Sequence, residues 1–185
     1  MKRILSLFAA LLFGALLLPA AAATRGAAAP NWQHPVVKDY GGALALPQAE
    51  LQPDKNATYK VAFNLTKSSG GDVNAGLNHV ARAVNVFALA GVPRDHLKFI
   101  VVIHGPATEL VMNDKAYRAH FHRANPNDKI IDELTAAGVR LVVCGQALAE
   151  AGIAHDELNP KIHLSLSALS DLIVLQHDGY ALYPL

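Results

Sequence analysis

Residues 139–148 read VRLVVCGQAL. Val139, Leu141, Val142 and Val143 make a short apolar run, read as a strand over 139–143. Gly145 punctuates it, and Gln146 to Ala151 reads as a short helix. A strand running directly into a helix is the repeating unit of a parallel α/β sheet. The only cysteine of the 185-residue chain, Cys144, stands at the joint.

The flanking sequence supplies further units of the same kind. Tyr59, Val61, Phe63 and Leu65 alternate with Lys60, Ala62 and Asn64, which is a strand pattern. A loop, Thr66 to Gly71, follows, with Asp72 expected as a helix N-cap. Val73, Leu77, Val80, Val84 and Phe87 then recur at helical spacing, closed by Gly91 and Pro93. Leu97 to Ile103 is apolar except for Lys98, as a strand buried on both faces should be. A short helix is expected through Leu110. Asn125-Pro126 reads as a helix cap and first turn, Ile130, Ile131 and Leu134 as that helix's inner face, and Gly138 as its end. Ile162–Leu166 and Tyr180–Tyr183 read as two last strands, separated by a helix carrying Leu169, Leu172, Ile173 and Gln176. The predicted fold class is α/β, a three-layer α/β/α sandwich with a mostly parallel five-stranded sheet.

The chain begins Met1-Lys2-Arg3 and is apolar from Ile4 to Leu18 apart from Ser6 and Gly14. Pro19 and alanines follow. A basic start, a short apolar run and an Ala-x-Ala site are the parts of a secretory signal peptide. A membrane anchor wants about 20 apolar residues, so residues 1–23 read as a cleaved signal and the mature chain starts at Thr24, in the periplasm. Residues 24–57, rich in Ala, Pro, Gly and Gln, read as a loosely packed N-terminal arm. Its Trp32, Val36, Val37 and Tyr40 are expected to dock on the domain or on a neighbouring subunit. Residues 58–185 form the domain, long enough for one sizeable core.

Without Lys2 and Arg3, 14 basic residues face 15 acidic ones. Such a balance has no electrostatic footprint for nucleic acid, and no membrane association is expected once the signal is removed. One cysteine cannot make an internal bridge. An odd thiol in an oxidising compartment is buried and inert, intermolecular, or reactive.

In open parallel sheets ligands bind beyond the carboxyl ends of the strands. Three such ends carry chemistry here: Lys67-Ser68 after the first strand, His104-Gly105 after the second, and Cys144-Gly145 after the third. Cys144 and His104 are the candidate catalytic pair, and Lys67, Ser68, Gly105 and Gly145 the candidate ligand-binding residues. A helix start stabilises thiolate, a nearby imidazolium would do the same, and Gly145 would let another group approach the sulfur. Each has a bland counterpart, a core cysteine and a satisfied structural histidine. His120 and His122, expected on a loop, would with His104 and Cys144 make a soft metal site, but their spacing matches no strong zinc pattern and no metal is expected. Gly70-Gly71 falls short of a phosphate-binding fingerprint, no hydrolase or metalloprotease motif is present, and no cofactor is expected.

The stretches YKVAFNL (59–65), FIVVIHGPA (99–107), NPNDKIIDELTAAGVRLVVCGQALAEAGI (125–153) and LSALSDLIVLQHDGYALYP (166–184) resemble the DsrE/DsrF-like sulfur-relay family. The resemblance spans about residues 59–185. It implies a five-stranded α/β/α domain and oligomers, commonly trimers or hexamers, and a homo-oligomer, a trimer or hexamer, is expected here. It also implies that a cysteine at the place of Cys144 carries a persulfide and hands it to a partner. It does not extend to a role for His104, which rests on rim geometry alone. The resulting expectation is a periplasmic sulfur carrier or sulfurtransferase with sulfur donor and acceptor proteins as partners. Its alternatives are a non-catalytic oligomeric small-ligand-binding module and a metal-handling protein. An accessible thiol would favour the carrier, a buried one the binding module.

Overall fold

The computed structural model describes residues 29–185. The signal segment therefore lies outside the described residues. Five strands, β1 (Tyr59–Leu65), β2 (Leu97–Ile103), β3 (Arg140–Cys144), β4 (His163–Ser165) and β5 (Ala181–Pro184), form one sheet in the order β4-β3-β2-β1-β5. Every pair is parallel, so the sheet is parallel throughout rather than mostly so. The helices are α1 (Ala75–Leu89), α2 (Asp114–Phe121), α3 (Asp128–Ala136), α4 (Gly145–Ala151) and α5 (Ala168–His177). Among the described residues no helix is long and apolar enough to cross a membrane.

Strand order decides which face each helix covers. From β1 to β4 the chain always steps toward the same edge, and right-handed crossovers then put the connecting helices on one face. The large core lies there. Phe63, Leu65, Phe99, Val101, Ile103, Leu141 and Val143 meet α1 through Leu77, Val80 and Val84, and α3 through Ile130, Ile131 and Leu134. The β4-to-β5 connection runs back across the whole sheet, so its helix lands on the opposite face. That face has a small cluster of Ile100, Val102, Val142, Cys144, Ala147 and Ala168, with Leu172 and Leu175 of α5 against it. Among the described residues the second layer is thus one ten-residue helix.

Three local expectations need correction. Helix α1 is capped by Asn74, not Asp72. The Asn74 side chain accepts from the Gly76 and Leu77 amides and donates to Lys67 O, and its own amide donates to Asn127 Oδ1. Helix α3 starts two residues after Pro126, because Asn125 Oδ1 first accepts from the Asn127 amide and its Nδ2 holds Leu110 O and Met112 O. His120 lies in α2, not in a loop, and His122 is that helix's left-handed cap, with φ 57°.

The arm is packed down over residues 36–43, while Leu46 and Leu51 beyond it stay exposed. Val37 is fully buried, and the fully buried Asn85 of α1 stitches the arm down. Asn85 Oδ1 accepts from the Val36 and Val37 amides, and its Nδ2 donates to the carbonyls of Val37, Tyr40 and Gly41. Gly41 is dictated by this contact. Its φ is +63°, and a β-carbon there would stand 2.1 Å from the Arg82 amide nitrogen. Trp32 stays half exposed beneath the Arg82 guanidinium.

Candidate active site at the sheet's carboxyl rim

β3 empties into α4, whose Leu148 joins the large core, while β4 empties into α5 on the other face. Neighbouring strands whose exits diverge in this way leave a crevice at their carboxyl ends. Cys144 and Gly145 stand at that divergence. Cys144 is both the last residue of β3 and the N-cap of α4, with its Sγ accepting from the Ala147 amide at 3.5 Å. The side chain points to the α5 face and is 5 % exposed. It is a free thiol.

Gly145 is needed for packing within the chain rather than for approach of a ligand. A β-carbon on it would lie 2.8 Å from the Ser165 carbonyl oxygen. Two more contacts close the same seam: Ser165 Oγ donates to Val143 O, and Gln146 Nε2 to Leu166 O. The β4 edge is thereby held against the cysteine turn.

His104 follows β2. The pairing of Ile103 with Val143 puts it level with Cys144, on a strand roughly 4.8 Å away. Both side chains lie two residues beyond inward positions of the α5 face, Val102 and Val142, and so face the same way. No hydrogen bond joins them. The imidazole Nε2 instead meets Asn64 Oδ1 of β1 at 2.7 Å. An amide oxygen only accepts, so Nε2 carries the proton and Nδ1 the lone pair. Burial holds the His104 pKa below the usual 6.5, which favours the neutral ring at pH 7. The imidazolium expected beside the thiol is accordingly disfavoured. Gly105, at φ +57°, turns the chain out of β2, and its carbonyl accepts from Thr108 Oγ1.

The other expected site residues lie apart from this pair. Ser68 Oγ donates to the Glu109 carboxylate and accepts from the Gly70 amide. The loop holding Lys67 and Ser68 leads into α1 on the opposite face. Lys67 is exposed and makes no ion pair among the described residues. His120 lies 3.6 Å from the Glu157 carboxylate. Among the described residues no group of three or more His, Cys, Asp or Glu side chains could hold a metal ion. So His104, His120, His122 and Cys144 do not form the soft metal site.

A rim with one cysteine at a strand-to-helix joint, in a five-stranded parallel sheet, can be set beside known proteins. The family model described as DsrE/DsrF-like matches residues 60–183. The chain belongs to the DsrE/DsrF-like family. Among solved structures, the YchN protein of E. coli is 15 % identical, with a TM-score of 0.50, over 69 % of this chain and all of that one. MTH1491, a protein of unknown function from Methanobacterium thermoautotrophicum, is 20 % identical, with a TM-score of 0.47, over 69 % of this chain and 99 % of that one. At these identities the YchN likeness speaks for the fold alone. No curated protein matches the sequence.

Sequence reasoning missed Asn64 at this site. It occupies an ordinary polar position in an alternating strand. The one available signal was that its side belongs to the same face as Ala62, where an amide needs a partner.

Proposed function

We propose that the protein is an exported sulfur carrier that holds sulfane sulfur as a persulfide on Cys144. Membership in a family associated with sulfur relay supports this reading. The observation that carries it is the Ala147 amide aimed at Cys144 Sγ at the head of α4. That N–H is a hydrogen-bond donor held ready for sulfur at the strand-to-helix joint. Loading begins when the Cys144 thiol gives its proton to a base. The neutral His104 ring, level with it in register, supplies one. The thiolate then attacks the sulfane sulfur of a donor. The donor's bond to that sulfur breaks, and the leaving group departs with the electron pair. Unloading reverses the roles: an acceptor thiolate takes the outer sulfur and Cys144 leaves as thiolate. No net oxidation occurs, and a single cysteine suffices because donor and acceptor bring the other sulfurs.

One observation favours a second reading. With Cys144 only 5 % exposed, the rim also fits a ligand-binding module without transfer, in which the thiol is a small core hydrophobe. Alkylation separates the two. A carrier's Cys144 reacts with iodoacetamide in the native protein. An inert cysteine reacts only after denaturation.

A further inference from the structure

The arm and the outer side of α1 enclose an open cavity of about 590 Å³ between them, the size of a small-molecule site. Its walls include Trp32, Leu44, Leu46 and Leu51 from the arm and Val86 and Leu89 from α1. Trp32, Leu46, Leu51 and Val86 are 50 %, 53 %, 92 % and 41 % exposed. Four large apolar side chains left in water thus converge on one concave surface, and an apolar concavity of this kind marks a ligand site. The family model matches from residue 60 onward, so the arm side of the cavity lies outside the family's domain.

The arm side is held in shape by its own bonds. Gln33 and Ala43 exchange two backbone hydrogen bonds. Gln52 Nε2 donates to Leu46 O and Ala49 O, which closes the loop 46–52 on itself. A wall already in place has less freedom to lose on binding. Among the described residues Arg82 is the only charged side chain that lines the cavity. Its Nε donates to Gly42 O, and its guanidinium carbon lies 5.5 Å from the Trp32 ring centroid. It makes no ion pair among the described residues. The guanidinium is therefore fixed at the cavity with its charge unmatched, and its planar fork of donors fits a carboxylate. The rest of the lining is mainly aliphatic, and Arg82 already lies over the one aromatic ring, so a flexible alkyl chain suits the walls better than a stacked ring does.

We infer that the cavity between the arm and α1 binds a free fatty acid, with its alkyl chain against Leu46, Leu51, Val86 and Leu89 and its carboxylate on Arg82. One cation matches one monoanionic head. The apolar walls supply the affinity by removing the chain and their own exposed side chains from water, and Arg82 supplies the preference for an acid over an uncharged chain. This gives the pinning of the arm by Asn85 a purpose, since a lifted arm would take half of the cavity with it. The inference does not depend on Cys144 carrying sulfur.

Trp32 is the only tryptophan of the chain, so its emission reports on the cavity. The test is titration of the purified protein with dodecanoate below its micelle concentration, followed by Trp32 fluorescence and by calorimetry. The expected result is a saturable blue shift with a matching heat at micromolar ligand, and weaker binding of dodecanol. Arg82→Gln should weaken dodecanoate roughly tenfold, as loss of a charge-assisted hydrogen bond does, and leave dodecanol unchanged, with Arg82→Lys in between. Val86→Glu should abolish binding of both. Should Val86→Glu lose the native circular dichroism spectrum, Leu46→Glu in the exposed loop gives the same comparison. No saturable binding, binding that leaves Trp32 emission unchanged, dodecanol held as tightly as dodecanoate, or variants that bind like the native protein would overturn the inference. So would light scattering that shows a second copy filling the cavity, as self-association abolished by Val86→Glu and unaffected by dodecanoate.

Discussion

His104 Nε2 lies 2.7 Å from Asn64 Oδ1, across the β1–β2 boundary at the carboxyl rim of the sheet. This contact selects the tautomer and points the ring's free lone pair away from β1. Burial alone lowers the His104 pKa and makes the histidine a neutral base rather than a standing cation at pH 7.

A carboxylate in place of the amide should reverse that state. In Asn64→Asp the negative charge favours imidazolium, so the His104 pKa should rise above its native value and pass the usual 6.5. Titration of the imidazole proton resonances reads this directly. An unchanged titration would show that the Asn64 contact does not control the ring.

The depressed His104 pKa also predicts a pH dependence of stability. Below about pH 6.5 the unfolded chain binds a proton before the folded one does, so stability falls as pH drops from there through the folded pKa. Above that window the contribution is constant. His104→Gln should flatten this part of the curve, measured as Tm between pH 7.5 and 5.

Gly145→Ala places a methyl group 2.8 Å from a backbone oxygen of Ser165. Backbone cannot step aside cheaply, and overpacking of this kind costs about 1–3 kcal/mol. Urea denaturation should show that loss. The β4 edge should also loosen, with faster amide exchange at Ser165 and Leu166 than in the native protein.

Asn85→Ala removes five arm contacts at once. The backbone groups it satisfied then do better in water than buried without partners, so the arm should lift. Limited proteolysis is expected to cut between residues 30 and 57 while the sheet domain survives. An arm as resistant as the native one would mean that Val37 burial alone holds it.

Much of this was legible in the residues themselves. The alternation Tyr59–Leu65, the apolar runs Leu97–Ile103 and 139–143, and the 3–4 spacing from Val73 to Phe87 each reflect one dominant burial pattern, and each element formed where expected to within a residue or two. The failures share a cause. Asn85 sits beside Val84 in the helix repeat and reads as a wet position until the arm folds over it. Asn74 outcompetes Asp72 as a cap because Asn127, over fifty residues away, holds its amide. Residues 114–121 carry too few apolar positions to announce a helix. At the site, strand register sets His104 level with Cys144 without a hydrogen bond between them, whereas the loop of Lys67 and Ser68 leads to α1 on the other face. Alternation along β1 and the exit toward α1 are properties of the assembled sheet. The outward stripe of α5 was visible as Leu169 and Ile173, but its exposure depends on that helix being, among the described residues, the only one on its face.

The central claim, that Cys144 accepts sulfane sulfur, is tested most directly by intact mass spectrometry of the folded protein after incubation with a sulfane donor. The account predicts an adduct of one sulfur, about 32 Da, on the native chain, discharged by an acceptor thiol and absent from Cys144→Ser, as thiolate attack on sulfur requires. A native chain that stays unmodified, or an adduct that persists in Cys144→Ser, would contradict it.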